Sequence, residues 1–371
     1  MSRDLGGGPG RAIEWVRHTG IRARNGVLHA AGRNLPEESP SPRLQVWARD
    51  KARLYRYLPT QEPAEIRATP ILFVMSLVTT AKVFDLQEDN SLVRRFLDAG
   101  HDVYLLDWGV PDAVESRNTL ETYCDEYIPR AVRAVMDESG SEDVNIFGYC
   151  LGAIFTMLSV AGHKAMPVRN IVMLATPVDM GELGPLTAML RGGQLNADDL
   201  VDWTGNVPSD RIKESFHLVE PAGEITTYLS LWNSLGHPEQ LEAHQALVRW
   251  SSGHIPFPGA AFRQIVDLFI HDDSLVRGKV PLGNRVVDLA DITVPVLSVT
   301  GARDKLVPAP STDPLALPGA ELEKLELNAG HAGLIVGRRA HKEMIPTMLQ
   351  WLDDRSGSEG RAGFSGGDPA S

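Results

Sequence analysis

Cysteine is scarce in this sequence: Cys124 and Cys150 are the two among its 371 residues. Two cysteines cannot form the disulfide framework of a small secreted protein, and this usage is typical of a reducing compartment. Basic residues are too few to balance the acidic ones, with 36 Lys and Arg against 48 Asp and Glu and a formal net charge of −12. A chain this acidic is not expected to bind nucleic acid.

Long apolar runs are also missing. No stretch approaches the roughly 20 apolar residues that a membrane-spanning helix needs, and residues 1–11 are polar and Gly-rich, unlike a secretory signal. We therefore predict a cytoplasmic protein without a transmembrane segment. Nucleotide-binding Gly-rich motifs do not follow any predicted strand, and the histidines lack zinc-site spacing, so neither a bound cofactor nor a metal is predicted.

Short apolar runs alternate with helical patterns between residues 53 and 354. The predicted strands span residues 53–58, 71–75, 102–106, 144–147, 170–175, 294–300 and 322–327. The predicted helices span residues 91–99, 120–138, 151–161 and 341–354. Near-continuous apolar strands are typical of a sheet covered on both faces, so the pattern predicts an α/β fold with a mostly parallel, doubly wound sheet.

One block interrupts this alternation. Residues 179–272 contain helical segments without a convincing strand, and such a block is hard to accommodate inside a doubly wound sheet. We predict an inserted, mainly helical cap here, the alternative being a set of ordinary surface helices. The core then comprises residues 41–178 and 273–354, preceded by a partly disordered segment 1–40 and followed by a disordered tail 355–371.

A Gly-x-Cys-x-Gly motif at residues 148–152 lies between a predicted strand and a predicted helix. This is the nucleophile-elbow pattern of α/β-hydrolase folds, with Cys150 in the place of the usual serine. The helix N-terminus favours a thiolate, and the backbone N–H of Leu151 would point towards a developing oxyanion. The alternative is a buried structural cysteine in a Gly-containing turn, as we expect for Cys124 within its helix.

The other two members of a catalytic triad occur in the order that this fold requires. In α/β-hydrolases the acid follows a late strand and the histidine follows the last one. Asp304 follows the strand predicted at 294–300, and His331 follows the strand predicted at 322–327. We therefore predict a Cys150–His331–Asp304 triad. The Val78 backbone N–H, after the strand at 71–75, is the candidate second oxyanion donor, although this segment could also be an ordinary connecting loop.

Cysteine at the elbow suits acyl transfer from coenzyme A thioesters. A thiolate that attacks a thioester forms another thioester, so the acyl-enzyme keeps enough free energy to acylate an alcohol. A serine would form an ester at the first step and lose that driving force. An apolar cap would help by excluding water.

The sequence resembles polyhydroxyalkanoate synthases, and its short N-terminus resembles the class III catalytic subunit of the two-subunit enzymes. The motifs that carry the resemblance lie at residues 84–94, 102–112, 148–152, 175–179, 261–264, 285–288, 304–308 and 330–331. The resemblance implies that Cys150 accepts 3-hydroxyacyl groups from coenzyme A thioesters, that His331 is the base and that Asp304 orients it. It also implies a growing polyester chain, a second non-catalytic subunit, a homodimer formed through the cap and action at cytoplasmic granule surfaces.

Three positions depart from the pattern of those synthases. Thr79 and Thr80 stand where Asn and a basic residue usually follow the oxyanion-loop Val, Lys305 replaces a common His, and Ala153 replaces the second Gly of the elbow. These changes leave two alternatives open. One is a related cysteine hydrolase, either a polyester depolymerase or a thioesterase, and the other is a catalytically silent granule-associated subunit.

Overall fold

An eight-stranded sheet organises the residues that the computed structural model describes, which are 41–60, 66–88, 90–219, 250, 253–313 and 315–356. Its strands are β1 Arg43–Arg49, β2 Ala52–Tyr57, β3 Ile71–Val74, β4 Val103–Asp107, β5 Val144–Tyr149, β6 Val168–Leu174, β7 Val296–Gly301 and β8 Leu322–Leu327. They are ordered β1-β2-β4-β3-β5-β6-β7-β8. The pairs β1/β2 and β2/β4 are antiparallel and all other pairs are parallel. The predicted mostly parallel sheet is confirmed.

Ten α-helices accompany these strands in the described part of the chain. They are α1 Leu92–Asp98, α2 Ile128–Ser139, α3 Leu151–Gly162, α4 Pro185–Arg191, α5 Ala197–Leu200, α6 Ser209–Val219, α7 Gly259–Ile265, α8 Ala309–Thr312, α9 Gly333–Val336 and α10 Ile345–Ser356. Turns of π-helix at Thr122–Tyr127 and Ala340–Met344 lead into α2 and α10, and another at Val266–His271 extends α7. No helix among the described residues is long and apolar enough to cross a bilayer.

Two apolar cores lie on opposite faces of the sheet. Along β3, Leu72 and Val74 contribute to one core, whereas Ile71 and Phe73 contribute to the other. This follows from the alternation of side chains along a strand, and burial on both faces explains why β3 is apolar at every position. Helix α3 packs in the first core with all but its last residue buried, which holds its N-terminus against the sheet.

The sequence did not predict β1, because it is an edge strand. Its burial alternates irregularly and no residue of Arg43–Arg49 is fully buried, so it lacks the apolar run by which the central strands were recognised. The hairpin formed by Lys279–Leu282 and Arg285–Asp288 was also not predicted. Its single buried stripe, Val280 and Leu282 on the first strand, is too short to give a periodic signal.

Between β6 and β7 the described residues form helices α4 to α7. The described residues of the predicted cap, 179–272, also form a two-residue ladder between Asn206–Val207 and Phe257–Pro258, and the hairpin at 279–288 lies between that segment and β7. Residues 220–249 lie outside those residues, so the division into core and cap stays a prediction. The segments 1–40 and 357–371, predicted to be disordered in part or in full, also lie outside them.

The predicted C-terminal boundary of the core was two residues too short. Helix α10 continues through Ser356, whose Oγ accepts a hydrogen bond of 3.0 Å from the buried Asn145 amide of β5. Arg355 bonds Glu321 and Glu323 at the start of β8. These tertiary contacts hold the last helical turn against the sheet, and they cannot be read from a polar sequence.

A buried ion pair ties the antiparallel part of the sheet to β4. Arg56 of β2 donates from Nε and Nη2 to the two carboxylate oxygens of Asp102, at 2.9 and 2.8 Å, and both side chains are at most one-tenth exposed. A bidentate geometry of this kind offsets the cost of removing both charges from water.

We expect Asp102→Ala to lower the free energy of unfolding by about 3–5 kcal/mol, because it leaves the Arg56 charge buried without its main partner. Urea denaturation should give a lower midpoint with an unchanged slope. Glu343→Ala, which removes one side of the exposed Arg339–Glu343 pair, is the matched control and should leave the midpoint unchanged. Equal midpoints for the two variants would contradict the assignment of a stabilising role to the buried pair.

Candidate active site

Cys150 occupies the sharp turn between β5 and α3. Its backbone has φ 54° and ψ −120°, a conformation that residues other than glycine rarely adopt. Holding Cys150 in it costs about 1–3 kcal/mol of free energy. The turn is held by surrounding hydrogen bonds: Cys150 N donates to Leu174 O of β6 at 2.9 Å, and Ala153 N donates to Cys150 O at 3.0 Å. The strained turn lifts the thiol above the sheet at the N-terminus of α3.

The two glycines of the motif are required by close backbone contacts. A Cβ on Gly148 would lie 2.5 Å from Ala153 Cα, and one on Gly152 would lie 2.3 Å from Val74 O. Helix α3 therefore crosses β3 and β5 at a distance that only glycine permits at these two positions. Ala153, by contrast, is fully buried without conflict, so the departure from a Gly-Gly elbow is compatible with the turn.

Folding brings Asp304 and His331 together with Cys150. The Asp304 carboxylate accepts from His331 Nδ1 at 2.7 Å through Oδ2, and its Oδ1 accepts backbone N–H bonds from Leu306 and Val307 at 2.9 and 2.8 Å. Nδ1 is engaged in this way, and Cys150 lies near enough to His331 to contribute to the raised pKa of the imidazole. The structure thus brings the three predicted residues together, with the Asp304–His331 hydrogen bond beside the Cys150 thiol.

The groups around His331 favour the charged form of its imidazole. Burial of His331 opposes its positive charge, but the Asp304 carboxylate and then Cys150 outweigh burial and raise the pKa of His331 to about 10. An imidazolium between a carboxylate and a thiol stabilises the thiolate, which is the nucleophilic form of cysteine. Cys124 differs in every respect, because it is fully buried and burial raises its pKa well above the ordinary value.

A cavity of about 410 Å³ opens beside the thiol. Its wall is formed by Ser76, Val78, Thr79, Tyr149, Cys150, Phe216, Val219, Trp250, His254, Arg303, Lys305, Leu306, Gly330, His331, Ala332 and Gly333. Residues of the predicted cap therefore share one wall with residues of the sheet. A volume of this size accommodates a small acyl group and part of its carrier.

Both candidate oxyanion donors lie close to the nucleophile. Leu151 is the first residue of α3, so its N–H belongs to the helix N-terminus, where intrahelical partners are missing by geometry. Val78 lines the cavity, and its carbonyl accepts a hydrogen bond of 3.3 Å from Ile255 N. The loop after β3 is therefore anchored by a segment that lies far along the sequence.

The sequence pointed to the triad but missed much of the cavity wall. Phe216, Trp250 and His254 carry no motif, and their contribution depends on how the segment between β6 and β7 folds over the sheet. Trp250 Nε1 donates to Thr80 O at 2.9 Å, a contact that no local pattern reveals. Of the residues that depart from the synthase pattern, Thr79 and Lys305 line the cavity.

A thiol, a charged imidazole and backbone donors beside one cavity are the components of nucleophilic acyl transfer. The thiol can attack a carbonyl carbon, the imidazole can pass a proton to the leaving group, and the backbone N–H groups can stabilise the tetrahedral oxyanion. The geometry suits attack on thioesters and esters.

Comparison with known proteins agrees with this fold. A family model described as alpha/beta hydrolase fold matches residues 69–338. The chain is 33% identical over 319 residues to the poly(3-hydroxyalkanoate) polymerase subunit PhaC of Allochromatium vinosum, over 85% of this chain and 89% of the relative. The identity is 32% to the PhaC subunit of Synechocystis sp., over 85% of each chain. It is 30% to that of Haloarcula marismortui, over 86% of this chain and 69% of the relative.

These relatives confirm the resemblance that the motifs indicated. The identity extends over most of both chains, and the matched family model includes Cys150, Asp304 and His331 within its range. The chain therefore belongs to the poly(3-hydroxyalkanoate) polymerase PhaC family, within the alpha/beta hydrolase fold.

Proposed function

We propose that this protein is an acyltransferase that polymerises 3-hydroxyacyl groups from coenzyme A thioesters into polyhydroxyalkanoate. The observation that carries the proposal is the Asp304–His331 hydrogen bond beside Cys150 on the wall of one cavity, in a chain whose relatives are named polymerases. Cysteine as the nucleophile fits this chemistry, because its acyl-enzyme remains a thioester.

In the first step the Cys150 thiolate attacks the carbonyl carbon of the substrate thioester. The N–H groups of Val78 and Leu151 stabilise the tetrahedral oxyanion. The carbon–sulfur bond to coenzyme A then breaks, and the departing thiolate takes a proton from the His331 imidazolium. The products are free coenzyme A, an acyl group on Cys150 and a neutral His331.

In the second step the neutral His331 accepts the proton of a 3-hydroxyl on another hydroxyacyl thioester. The resulting alkoxide attacks the acyl group on Cys150, which forms an ester bond and releases the thiolate. The imidazolium is thereby restored, and the lengthened chain returns from coenzyme A to Cys150 in a further thioester exchange. Asp304 holds the ring in the required orientation through its hydrogen bond to Nδ1.

A second candidate function is hydrolysis of polyesters or thioesters with the same three residues. It is favoured by Thr79, which stands in the cavity wall where the related synthases usually carry Asn. The two reactions share the acyl-enzyme and differ in the acceptor, so the products separate them. A catalytically silent subunit would form no acyl-enzyme.

We expect the full-length chain to release coenzyme A from 3-hydroxybutyryl-coenzyme A and to form polymer, and Cys150→Ala to abolish both. Thiol release and polymer mass are the two measurements. Free 3-hydroxybutyrate in place of polymer would favour the hydrolase, and turnover by the Cys150→Ala variant would refute the covalent mechanism. Cys124→Ala is the matched control and should retain activity, because Cys124 lies buried in the π-helical turn that precedes α2.

We also expect iodoacetamide to modify Cys150 at pH 6.5 and to spare Cys124. Asp304→Asn should slow this modification at least about tenfold. The reason is that Asp304 raises the pKa of His331; without the carboxylate that pKa falls, the imidazolium loses its proton at lower pH and the thiolate loses its counter-ion.

Peptide mass spectrometry at a series of pH values from 5.5 to 9 measures the rate at each cysteine. Because Asp304 raises the pKa of His331, the rate at Cys150 in Asp304→Asn should fall below that of the unaltered chain over this pH range. Asp313→Asn, on an exposed residue after α8, is the control. An unchanged profile for Asp304→Asn would contradict the role given to the carboxylate.

The proposal extends to partners and location as the family resemblance implies them. These are a second, non-catalytic synthase subunit, a homodimer formed through the predicted cap, and action in the cytoplasm at the polyester granule surface. Coenzyme A thioesters enter as substrates and not as resident cofactors. Size-exclusion chromatography with light scattering of the purified chain tests the homodimer.

A further inference from the structure

Thr79 and His254 face each other beside the nucleophile, in an arrangement that the proposed triad does not use. They form an isolated antiparallel bridge, across which Ile255 N donates to Val78 O at 3.3 Å. A hydrogen bond between those flanking residues identifies Thr79 and His254 as a non-hydrogen-bonded pair of an antiparallel ladder. In such a pair the two facing side chains lie on the same side of the backbone and close together. Both residues line the cavity next to Cys150.

The Thr79 side chain brings a buried hydroxyl to this wall. The residue is 7% exposed, and its Oγ1 has no hydrogen-bond partner among the described residues. A buried hydroxyl without a partner is destabilising and uncommon in folded proteins. On a cavity wall, such a group points to a ligand that completes its hydrogen bonding.

The His254 ring is fixed in position opposite this hydroxyl. It stacks on Phe216 with ring centroids 4.9 Å apart and planes 6° from parallel, and its Nδ1 lies 3.4 Å from Val78 O. Because a carbonyl oxygen only accepts, Nδ1 must carry a hydrogen in this contact.

A neutral ring then leaves the other ring nitrogen of His254 as an acceptor. Burial lowers the pKa of His254 below its ordinary value, and Lys213 and His217 lower it further, although the bond to Val78 O acts in the opposite direction. The neutral form with Nδ1 protonated is therefore favoured near pH 7, and Nε2 carries a lone pair.

We propose that Thr79 and His254 bind the 3-hydroxyl group of the acyl chain. Nε2 of His254 accepts the hydrogen of that hydroxyl, and Oγ1 of Thr79 donates to its oxygen. An alcohol is both donor and acceptor, whereas a carbonyl oxygen only accepts, so a paired acceptor and donor match an alcohol. The inference rests on the proposed function and adds to it a selectivity for hydroxylated over unsubstituted acyl groups.

The experiment compares two coenzyme A thioesters that differ by this one hydroxyl, 3-hydroxybutyryl and butyryl. Rapid quenching and intact mass spectrometry of the full-length chain measure the rate at which each forms an acyl adduct on Cys150. In Thr79→Val and in His254→Phe, the kcat/KM for acylation by the 3-hydroxybutyryl thioester should fall about 10- to 100-fold. In the same variants, the kcat/KM for acylation by the butyryl thioester should change less than about threefold.

Two controls separate recognition from support of the loop. Thr79→Ser keeps the hydroxyl and should keep the preference, and Thr80→Val changes the adjacent residue while leaving both members of the pair intact. Equal slowing of both thioesters in Thr79→Val and His254→Phe would assign the pair to loop support and overturn the inference. So would an unchanged preference in both variants.

Failure of the proposed function gives a different result. If the unaltered chain formed no adduct on Cys150 with either thioester, the covalent mechanism itself would be refuted. Thr79→Val keeps the branched shape and removes a hydroxyl that has no hydrogen-bond partner among the described residues, so it should fold and decides the question even if His254→Phe does not. The thermal unfolding midpoint of each variant checks this.

Discussion

The close approach of α3 to β3 is the constraint on which the site depends. At Gly152 there is no room for a side-chain carbon, because the carbonyl of Val74 already occupies that space. This approach forces a tight turn before the helix and puts Cys150 in a backbone conformation that is unfavourable for it. The surrounding cores, with helix α3 buried along nearly its whole length, supply the packing that makes the strained turn tolerable.

Once the turn fixes the thiol, the sheet order determines what can reach it. Strands β5, β7 and β8 are parallel to one another within the same sheet, so the loops after them open at one edge. Asp304 and His331 follow β7 and β8 and meet there although 27 residues separate them in the chain. Two backbone N–H groups donate to Asp304 independently of the imidazole. The position of the carboxylate therefore does not depend on the protonation of His331.

The parts of the fold that could be predicted are those with a strong local signal. Buried central strands such as Ile71–Val74 have four apolar residues in succession, and the elbow has a motif whose glycines have a steric reason. The edge strand Arg43–Arg49 has no comparable signal because one side of it faces solvent. The end of α10 was missed since Ser356 is held by Asn145, which lies more than two hundred residues away in the chain.

The same distinction applies within the site. Asp304 and His331 follow strands in the order that the fold requires, so their meeting near Cys150 could be predicted from the sequence. Phe216, Trp250 and His254 reach the cavity through a segment whose fold has no periodic signature, and a lone histidine gives no indication of what it faces. The loop after β3 was suggested as an oxyanion donor, but the residues that anchor it could be found only from the three-dimensional contacts.

The anchoring of that loop has a mechanical consequence. Between residues 250 and 255, an indole N–H, a ring nitrogen and a backbone N–H bond to the carbonyls of Thr80 and Val78. The two segments therefore behave as one body, and displacing either requires breaking three hydrogen bonds or carrying the other along. Any displacement of the outer segment would therefore shift the inner loop with it, so the position of the Trp250 and His254 side chains and the alignment of the Val78 backbone are coupled.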